Sequence, residues 1–244
     1  MPKDTLMIEL SIMDTALAVA PLLVGILIFY RQLNRVKEPS IASARMLIQL
    51  IGVGYLLNLL FTYDSIWIGL CILTFMLAVA SYIAIRPINN KSLRNYGIAW
   101  LAICIGAGLN LAWILLVVLN LEPWYQPRQV IPLAGMVFSV GMNALSIAIE
   151  RYEKELQHEA SNARRLAINA ATISHINMLL AVGLVSLPGM MTGQILSGVS
   201  PLIAVRYQIM VMSMMMGTST MVLITYFYLR CYFEKTLKET TTPK

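Results

Sequence analysis

The sequence predicts an all-α, polytopic membrane protein with seven transmembrane helices, its N-terminus outside and its C-terminus in the cytoplasm. Of its 244 residues, 58% are hydrophobic and only 12% are charged. The apolar residues fall into seven runs, most of them close to the roughly 20 residues that a helix needs to cross the hydrocarbon core of a bilayer. Lys and Arg lie almost entirely in alternate connections between these runs. We therefore expect a single transmembrane domain over residues 1–244, with no second soluble domain.

The seven runs are predicted to be helices and not barrel strands. Only structures that satisfy their backbone hydrogen bonds internally are stable in hydrocarbon. The runs are too long and too uniformly apolar for the alternating strands of a barrel. We predict spans one to seven at Ile12–Tyr30, Met46–Thr62, Ile66–Ile85, Gly97–Leu119, Val130–Ile149, Ala167–Leu187 and Tyr207–Leu229.

The basic residues predict the orientation of these spans. All Lys and Arg except Lys3, Arg128 and Arg206 lie between spans one and two, three and four, or five and six, or after span seven. Cytoplasmic connections carry the excess of Lys and Arg in membrane proteins, so these connections are predicted to be cytoplasmic. The net charge of +6 then reflects topology and attraction to anionic lipid headgroups, and not nucleic-acid binding.

The residue types indicate that the chain is not an enzyme. It contains no G-x-x-x-x-G-K-[ST] loop that would hold a nucleotide phosphate. Its two His residues are far apart and its spans hold almost no carboxylates, which leaves too few ligands for a membrane metalloenzyme. None of the three Cys is placed as a disulfide partner. We expect conduction, sensing or partner binding, with no cofactor bound directly.

Span five carries the clearest polar pattern within a predicted helix. Its small and polar residues recur at intervals of three or four, so they share one helical face; they are Gly135, Ser139, Asn143, Ser146 and Glu150. One interpretation is a packing seam between helices, because small residues and interhelical hydrogen bonds stabilise such seams. The other is the lining of a polar path. Both interpretations place span five in the interior of the bundle.

Span six has a similar face that includes Ser174 and Asn177, with His175 beside it. An ionisable residue inside a membrane span is a candidate functional residue. A hydrogen bond from His175 to a neighbouring helix is an equally valid interpretation. We predict that Ser139, Asn143, Asn177 and His175 turn toward one another and form a path between spans five and six.

Pro and Gly interrupt the chain after span six, at Pro188, Gly189 and Gly193. We predict a broken or re-entrant segment over residues 188–205, because irregular backbone at membrane depth is tolerated where it lines a cavity. The alternative is an ordinary outer loop. Met190, Met191 and Gln194 would close the path on its outer side. The Met residues of span seven point to several faces, which favours a packing role over a shared metal site. The sequence therefore identifies no metal ligands.

Several segments resemble one known family closely. The most specific runs from Leu184 to Gly198 and reads LVSLPGMMTGQILSG, and further matching segments are Gln129–Met136, Met142–Ala144 and Gln49–Tyr55. This chain is similar over nearly its whole length to the Fet-type iron-export ABC permease family, which includes the membrane half of a plant aluminium-tolerance transporter.

The resemblance implies a permease subunit in the cell membrane that has no ATPase of its own. Two copies would pair with two cytoplasmic ABC ATP-binding subunits, and ATP bound by those subunits would drive transport. It also implies the export of metal ions such as iron, or metal resistance.

The chain departs from the family pattern between spans five and six. Its connection is only the short cytoplasmic loop Arg151–Arg165, and it lacks the family's longer Glu-rich stretch and Leu-Gly-Ala turn. The charged residues that remain could form a short helix that docks an ATPase; our candidates are Glu150, Arg151, Arg164 and Arg165. The other interpretations are a solvated connector and a paralogue that is no longer coupled to an ATPase.

A seven-helix receptor or sensor is the alternative from a different functional class. Glu150, Arg151 and Tyr152 resemble the acidic-Arg-Tyr triplet of G-protein-coupled receptors, but the match is weak because they end the fifth span and not the third. A retinal protein is disfavoured, because span seven has no internal Lys to form a Schiff base.

Overall fold

A computed structural model describes residues 11–241 with gaps at 34–36, 63–64, 89–90, 124 and 159–160. All regular secondary structure in these residues is helical. The helices are α1 Ile12–Ala18, α2 Ala20–Leu33, α3 Lys37–Thr62, α4 Ile66–Ala84, α5 Leu93–Trp113 with a π-helical turn over Ile114–Val118, α6 Pro127–Gln157, α7 Ala163–Ala181, α8 Gly189–Leu196 and α9 Pro201–Thr241.

Six helical segments of the described residues are long and apolar enough to cross a membrane. They correspond to predicted spans one to five and seven, and they are Ile12–Gln32, Lys37–Asn58, Ile66–Ala84, Leu93–Val118, Pro127–Gln157 and Pro201–Glu234. Helix α7 occupies the position of predicted span six but is not among them. Its polar residues lower its hydropathy; they are Arg164, Arg165, Asn169, His175 and Asn177.

Most of residues 151–165, the predicted short cytoplasmic loop, are helical, which agrees with the interpretation that charged residues of this segment form a short helix. Helix α6 continues through Arg151 to Gln157, and α7 begins at Ala163. The continuation is stabilised by ion pairs at helical spacing, Arg151 with Glu155 and Lys154 with Glu150. The sequence pattern marked the end of the apolar run, whereas the backbone hydrogen-bond ladder ends later. Residues 159–160 of the predicted loop lie outside the described residues, as do the first ten residues.

The break after α7 begins earlier and ends earlier than predicted. Helix α7 stops at Ala181, whose carbonyl oxygen accepts from the amides of Val185 and Ser186 at 2.8 and 3.2 Å. Gly183 has a φ of +83°, in the left-handed region that favours glycine. The chain then forms the short helix α8. Residues 201–205, predicted to be irregular, are already the first turn of α9, because Pro is favoured in the first turn of a helix.

The described residues divide into two compact units. The first contains α1, α2 and α3 together with residues 196–198. Helix α1 begins with a capping box in which Ser11 and Asp14 each bond the other's backbone amide, at 3.2 and 3.0 Å. Asp14, an ionisable residue in span one, therefore has a structural role. No described residue of α1–α3 is buried, and their exposed apolar side chains suit contact with hydrocarbon.

In the second unit, α6 lies at the centre of an arc of four helices. Extensive contacts join α4 to α5, α5 to α9, and α9 to α7, and each of these four also packs on α6. Helices α4 and α7 share no extensive contact. Helix α6 is therefore covered by its neighbours except on the side between α4 and α7, which we call the open side.

Close packing of α5 against α9 forms much of the core of this unit. A Cβ atom built on Gly106 would lie 2.6 Å from the backbone nitrogen of Val222, so only glycine permits this approach. Ala99, Ala102 and Ala107 on α5 are fully buried along the same helix. Small residues allow helices in membranes to approach closely, and van der Waals packing then holds them together.

Candidate functional site

The polar face predicted on span five lies on the open side of α6. Ser139, Asn143 and Glu150 are exposed, and Gly135 and Ser146 are half-buried. The sequence predicts that this face is in the interior of the bundle; within the second unit it is not covered by another helix. The interior is occupied instead by the opposite, apolar face of α6. Helical periodicity identifies residues that share a face, but it does not identify what that face meets.

Helix α7 presents Ser174 and Asn177 on its surface, and both are exposed. Helices α6 and α7 pack against each other and are joined by a short connection, so they run antiparallel. Asn143 and Asn177 are equally far along the chain from residue 160, the middle of that connection, and so are Ser146 and Ser174. Each pair therefore lies at about the same depth. Exposed amides and hydroxyls occur at matching levels on two adjacent helices.

His175 is separated from this polar surface. It is 6% exposed and continues the buried line of α7 formed by Ala163, Ala167 and Ala171. Two positions along a helix correspond to about 200° of rotation, so His175 and Asn177 face nearly opposite directions. The Nδ1 atom of His175 has no hydrogen-bond partner among the described residues. His175 and Asn177 therefore do not share a face of α7, and the path predicted to include both residues stays a prediction.

A cavity of about 260 Å³ lies at the N-terminal end of α6. Met190 and Gln194, two of the residues predicted to close a path, line it from α8, and the Oε1 atom of Gln194 is buried without a hydrogen-bond partner. Met191 is half-buried and does not line the cavity. The remaining lining residues are Arg128, Gln129, Pro132, Leu133, Met136 and Tyr207.

Sequence reasoning did not select Arg128, Met136 or Tyr207 as site residues. Arg128 and Tyr207 are close to the outer ends of predicted spans five and seven, and Met136 lies one helical turn before Ser139. Their positions in the sequence do not indicate a common site, because the cavity forms only when α8 folds back toward α6. Gln194 and Met190 were selected from their place in the chain break, and they lie in this cavity.

The predicted coupling residues lie around the connection between α6 and α7. Glu150 and Arg151 each form an ion pair within α6, to Lys154 at 2.8 Å and to Glu155 at 2.6 Å. The pair of Lys154 and Glu150 is exposed, and such pairs contribute only about 0.2–1 kcal/mol to stability, whereas the Glu155 side chain is largely shielded. A shallow depression of about 300 Å³ is formed on the other side of the connection by Ser161, Asn162, Arg164, Arg165, Ile168 and Asn169.

Arg164 and Arg165 have different environments within this depression. The guanidinium carbon of Arg164 lies 5.7 Å from the centre of the Phe227 ring on α9, in a cation–π contact. Arg165 is exposed and makes no such ring contact. Of the two predicted arginines, Arg165 is therefore the better probe of an interaction with another protein.

A second charged cluster near this end of the helices was not predicted as a site. Arg230 on α9 donates from Nη1 to the carboxylate of Glu153 on α6 at 2.8 Å, and from Nε to Glu234 at 3.0 Å. Its guanidinium carbon is 4.7 Å from the centre of the Tyr152 ring. In the sequence, Arg230 contributes only to the predicted membrane orientation. Its contact with Glu153 could not be predicted, because the two residues are far apart along the chain.

The described residues contain no group of three or more His, Cys, Asp or Glu that could hold a metal ion. Cys71 and Cys231 are exposed, Cys104 is partly buried, and all three are free thiols. Besides the Glu150 carboxylate, the polar side chains on the open side of α6 are an amide and hydroxyls.

Comparison with known proteins places the chain in one family. The family described as "Uncharacterised protein family (UPF0014)" matches residues 12–164 and 157–233. The two matched pieces overlap over residues 157–164, so the family pattern is not continuous at the connection between α6 and α7. No solved structure matches the chain.

Three relatives cover most of the chain. The UPF0014 membrane protein slr1647 of Synechocystis is 35% identical over 228 residues, covering 86% of this chain and 88% of that protein. The Arabidopsis thaliana protein ALUMINUM SENSITIVE 3 is 34% identical, covering 88% and 83%. The protein named "Probable iron export permease protein FetB" of Escherichia coli is 33% identical, covering 88% of each. The chain therefore belongs to the UPF0014 family of membrane proteins.

Proposed function

We propose that this chain is the transmembrane permease subunit of an ATP-driven ABC transporter that exports metal ions such as iron from the cytoplasm. It spans the cell membrane seven times, with α7 as the sixth span, its N-terminus outside and its C-terminus in the cytoplasm. The proposal is supported by membership of a membrane-protein family in which one relative is named as a probable iron export permease. It is also supported by the concentration of Lys and Arg on one predicted side.

The observation that carries the proposal is the pair of exposed amides at matching depth, Asn143 on α6 and Asn177 on α7. A polar side chain inside a membrane avoids lipid and faces protein or a water-filled path. The open side of α6 exposes Asn143 because no helix of the second unit covers it. We infer that the open sides of two copies face each other and that the polar residues line the path between them.

The amide oxygens on this path suit a cation in transit. Neutral oxygen donors can replace part of the hydration shell of an ion, and weak binding at several sites allows the ion to leave. Gln194 would add another amide at the cavity beside the N-terminal end of α6, where its Oε1 atom has no partner among the described residues. Met190 lines the same cavity, which we place at the outer mouth of the path.

Energy for transport would come from a separate cytoplasmic ATP-binding subunit. The chain itself has no phosphate-binding loop. We place the contact with that subunit at the end of the α6–α7 hairpin, which carries Glu150, Arg151, Arg164 and Arg165. Arg165 and Glu150 are exposed there, so a cytoplasmic protein can reach them.

Reconstitution with a candidate ATP-binding subunit in liposomes tests this function. ATP-dependent movement of ferrous iron is expected for the wild type and should be abolished by Asn143→Leu or Asn177→Leu. Ile147→Leu is the matched control, because Ile147 is an exposed apolar residue one helical turn from Asn143. Full transport by the double variant Asn143→Leu/Asn177→Leu would show that the polar face is only a packing surface.

A second candidate function is a family member that works without an ATPase. The observation in its favour is the short connection between Gln157 and Ala163, at which the match to the family is split. This candidate predicts that no ATP-binding subunit copurifies with the chain from its native membrane. Copurification in a fixed ratio would exclude it.

A further inference from the structure

Arg230 joins two helices that are far apart in sequence. Its Nη1 atom lies 2.8 Å from the Oε1 atom of Glu153. The Arg230 side chain is 19% exposed and that of Glu153 is 35% exposed, so the pair is partly shielded from water. The hydroxyl of Tyr226 lies 3.5 Å from the same nitrogen. The Arg230 guanidinium therefore connects α9 to the last turns of α6.

The other ion pairs of this region do not connect helices. Lys154 and Glu150 lie at the same distance of 2.8 Å, but both belong to α6 and their side chains are 63% and 55% exposed. Arg151 and Glu155 also both belong to α6. Among the ion pairs found in the described residues, the pair of Arg230 and Glu153 is the one that bridges two helices.

Helix α7 is attached to the same cluster through aromatic rings. Tyr152 on α6 and Phe227 on α9 pack edge to face, with ring centres 5.1 Å apart. Arg164 on α7 lies over the Phe227 ring, and Arg230 lies over the Tyr152 ring. Cation–π contacts add to the attraction between these helices; Arg230 is largely shielded from water, whereas Arg164 is exposed. One cluster thus holds α6, α7 and α9 together next to the α6–α7 connection.

We propose that Arg230 is a positioning residue that fixes the end of α6 and the α6–α7 connection onto α9. The planar guanidinium serves both functions at once, since it bonds the Glu153 carboxylate and covers the Tyr152 ring. The part of the proposal that concerns coupling rests on the function proposed above. A force that an ATP-binding subunit exerts on the connection then reaches α9 through Arg230, and α6, α7 and α9 move at this end as one unit.

Hydrogen exchange on the purified wild-type chain and its variants tests the positioning without an ATPase. Arg230→Gln and Glu153→Gln are expected to speed exchange of the backbone amides of residues 150–157 about tenfold or more, because local opening becomes easier. Lys154→Gln, which removes the pair confined to α6, should leave exchange there within about twofold of the wild type. Equal acceleration by Lys154→Gln, or none by Arg230→Gln, would overturn the proposal.

Two further variants separate positioning from general misfolding. The exchanged pair Arg230→Glu/Glu153→Arg restores the opposite charges and should recover most of the protection of residues 150–157. Arg230→Lys keeps the charge but loses the planar group, so protection should be intermediate. If the exchanged pair is no better than Arg230→Gln, the contact between these two residues does not position α6.

Transport assays with the ATP-binding subunit test the consequence for coupling. Arg230→Gln should bind that subunit within about twofold of the wild type but transport at least about fivefold less per ATP hydrolysed, in the usual range of coupling factors. Normal transport per ATP by this variant would overturn the coupling role. If the wild type binds no ATP-binding subunit, the proposed function fails, while the hydrogen-exchange result on Arg230 stands by itself.

Discussion

The side-chain nitrogen of Asn110 on α5 donates a 2.8 Å hydrogen bond to the hydroxyl oxygen of Thr218 on α9. The same nitrogen donates to the backbone carbonyl of Met214 at 2.6 Å. A Cβ atom at Gly217 would lie only 3.1 Å from it, so glycine at that position leaves room for the amide. Both hydrogen bonds of this side-chain nitrogen therefore join α5 to α9.

Replacing Asn110 with Leu should lower the free energy of unfolding by about 1–2 kcal/mol, the range found for interhelical hydrogen bonds in membranes. Thr220→Val is the control on the same helix, because the Thr220 hydroxyl donates only to its own helix, at Met216. The measurement is thermal or denaturant unfolding in detergent. Equal losses for the two variants would contradict an interhelical role for Asn110.

Gly106→Ala should destabilise the protein by at least about 1–3 kcal/mol, the usual cost of overpacking. The added methyl group would meet backbone atoms of Val222, which cannot rotate away as the end of a flexible side chain can. Gly108→Ala lies on the same helix with nothing within 4 Å of the added atom, so it should be neutral or stabilising by about 0.5–1 kcal/mol. Unfolding midpoints compared in one detergent decide this prediction, and a tolerated Gly106→Ala would refute the close packing of α5 on α9.

If two copies meet through the open side of α6, a cysteine at Asn143 should crosslink one copy to the other. The background for this experiment has Cys71, Cys104 and Cys231 replaced by Ser, because all three are free thiols. Leu109→Cys is the control, since Leu109 is exposed at 58% but lies on α5. Crosslinked dimer at Leu109 and none at Asn143, measured on gels after oxidation in membranes, would place the dimer interface elsewhere.

The predicted topology can be checked by labelling two connections. A cysteine at Ser161, beside the exposed turn before α7, should react with an impermeant thiol reagent only after the cells are opened. A cysteine at Glu122, which is exposed before α6, should react in intact cells. Seven spans with alternating connections require this pattern. The reverse pattern would overturn the orientation. If both cysteines react from the same side, the helix between them, α6, does not cross the membrane.

Arg165→Glu should weaken copurification with an ATP-binding subunit about tenfold, because a rim charge that faces a complementary surface would be reversed. Arg165 is the suitable position because it is exposed, whereas reversing Arg164 would also remove its contact with Phe227. Arg94→Glu, at the first turn of α5, is the matched control. If Arg94→Glu has the larger effect, the contact with the ATPase lies at the α4–α5 connection.

The sequence alone predicted that the fold is all-α, and it predicted the approximate positions of most membrane-spanning helices. Predicted span three, Ile66–Ile85, differs from α4 by one residue, because its apolar run and its helix end together. Predicted spans five and seven are shorter than α6 and α9, whose ends are charged. The sequence also identified Ser139, Asn143 and Asn177 as polar residues of helices that pack together, and the family resemblance that the comparisons confirm.

Tertiary structure decided where the polar residues face. Ser139 and Asn143 share a face by periodicity alone, but only the arrangement of α4 and α7 leaves that face open. The pairing of Arg230 with Glu153 and of Asn110 with Thr218 joins residues remote in sequence, so no local pattern indicates either contact. The physical reason is that the bilayer acts on each segment separately, through its length and hydropathy. Which helices pack against each other, in contrast, depends on the side-chain packing of all the helices together.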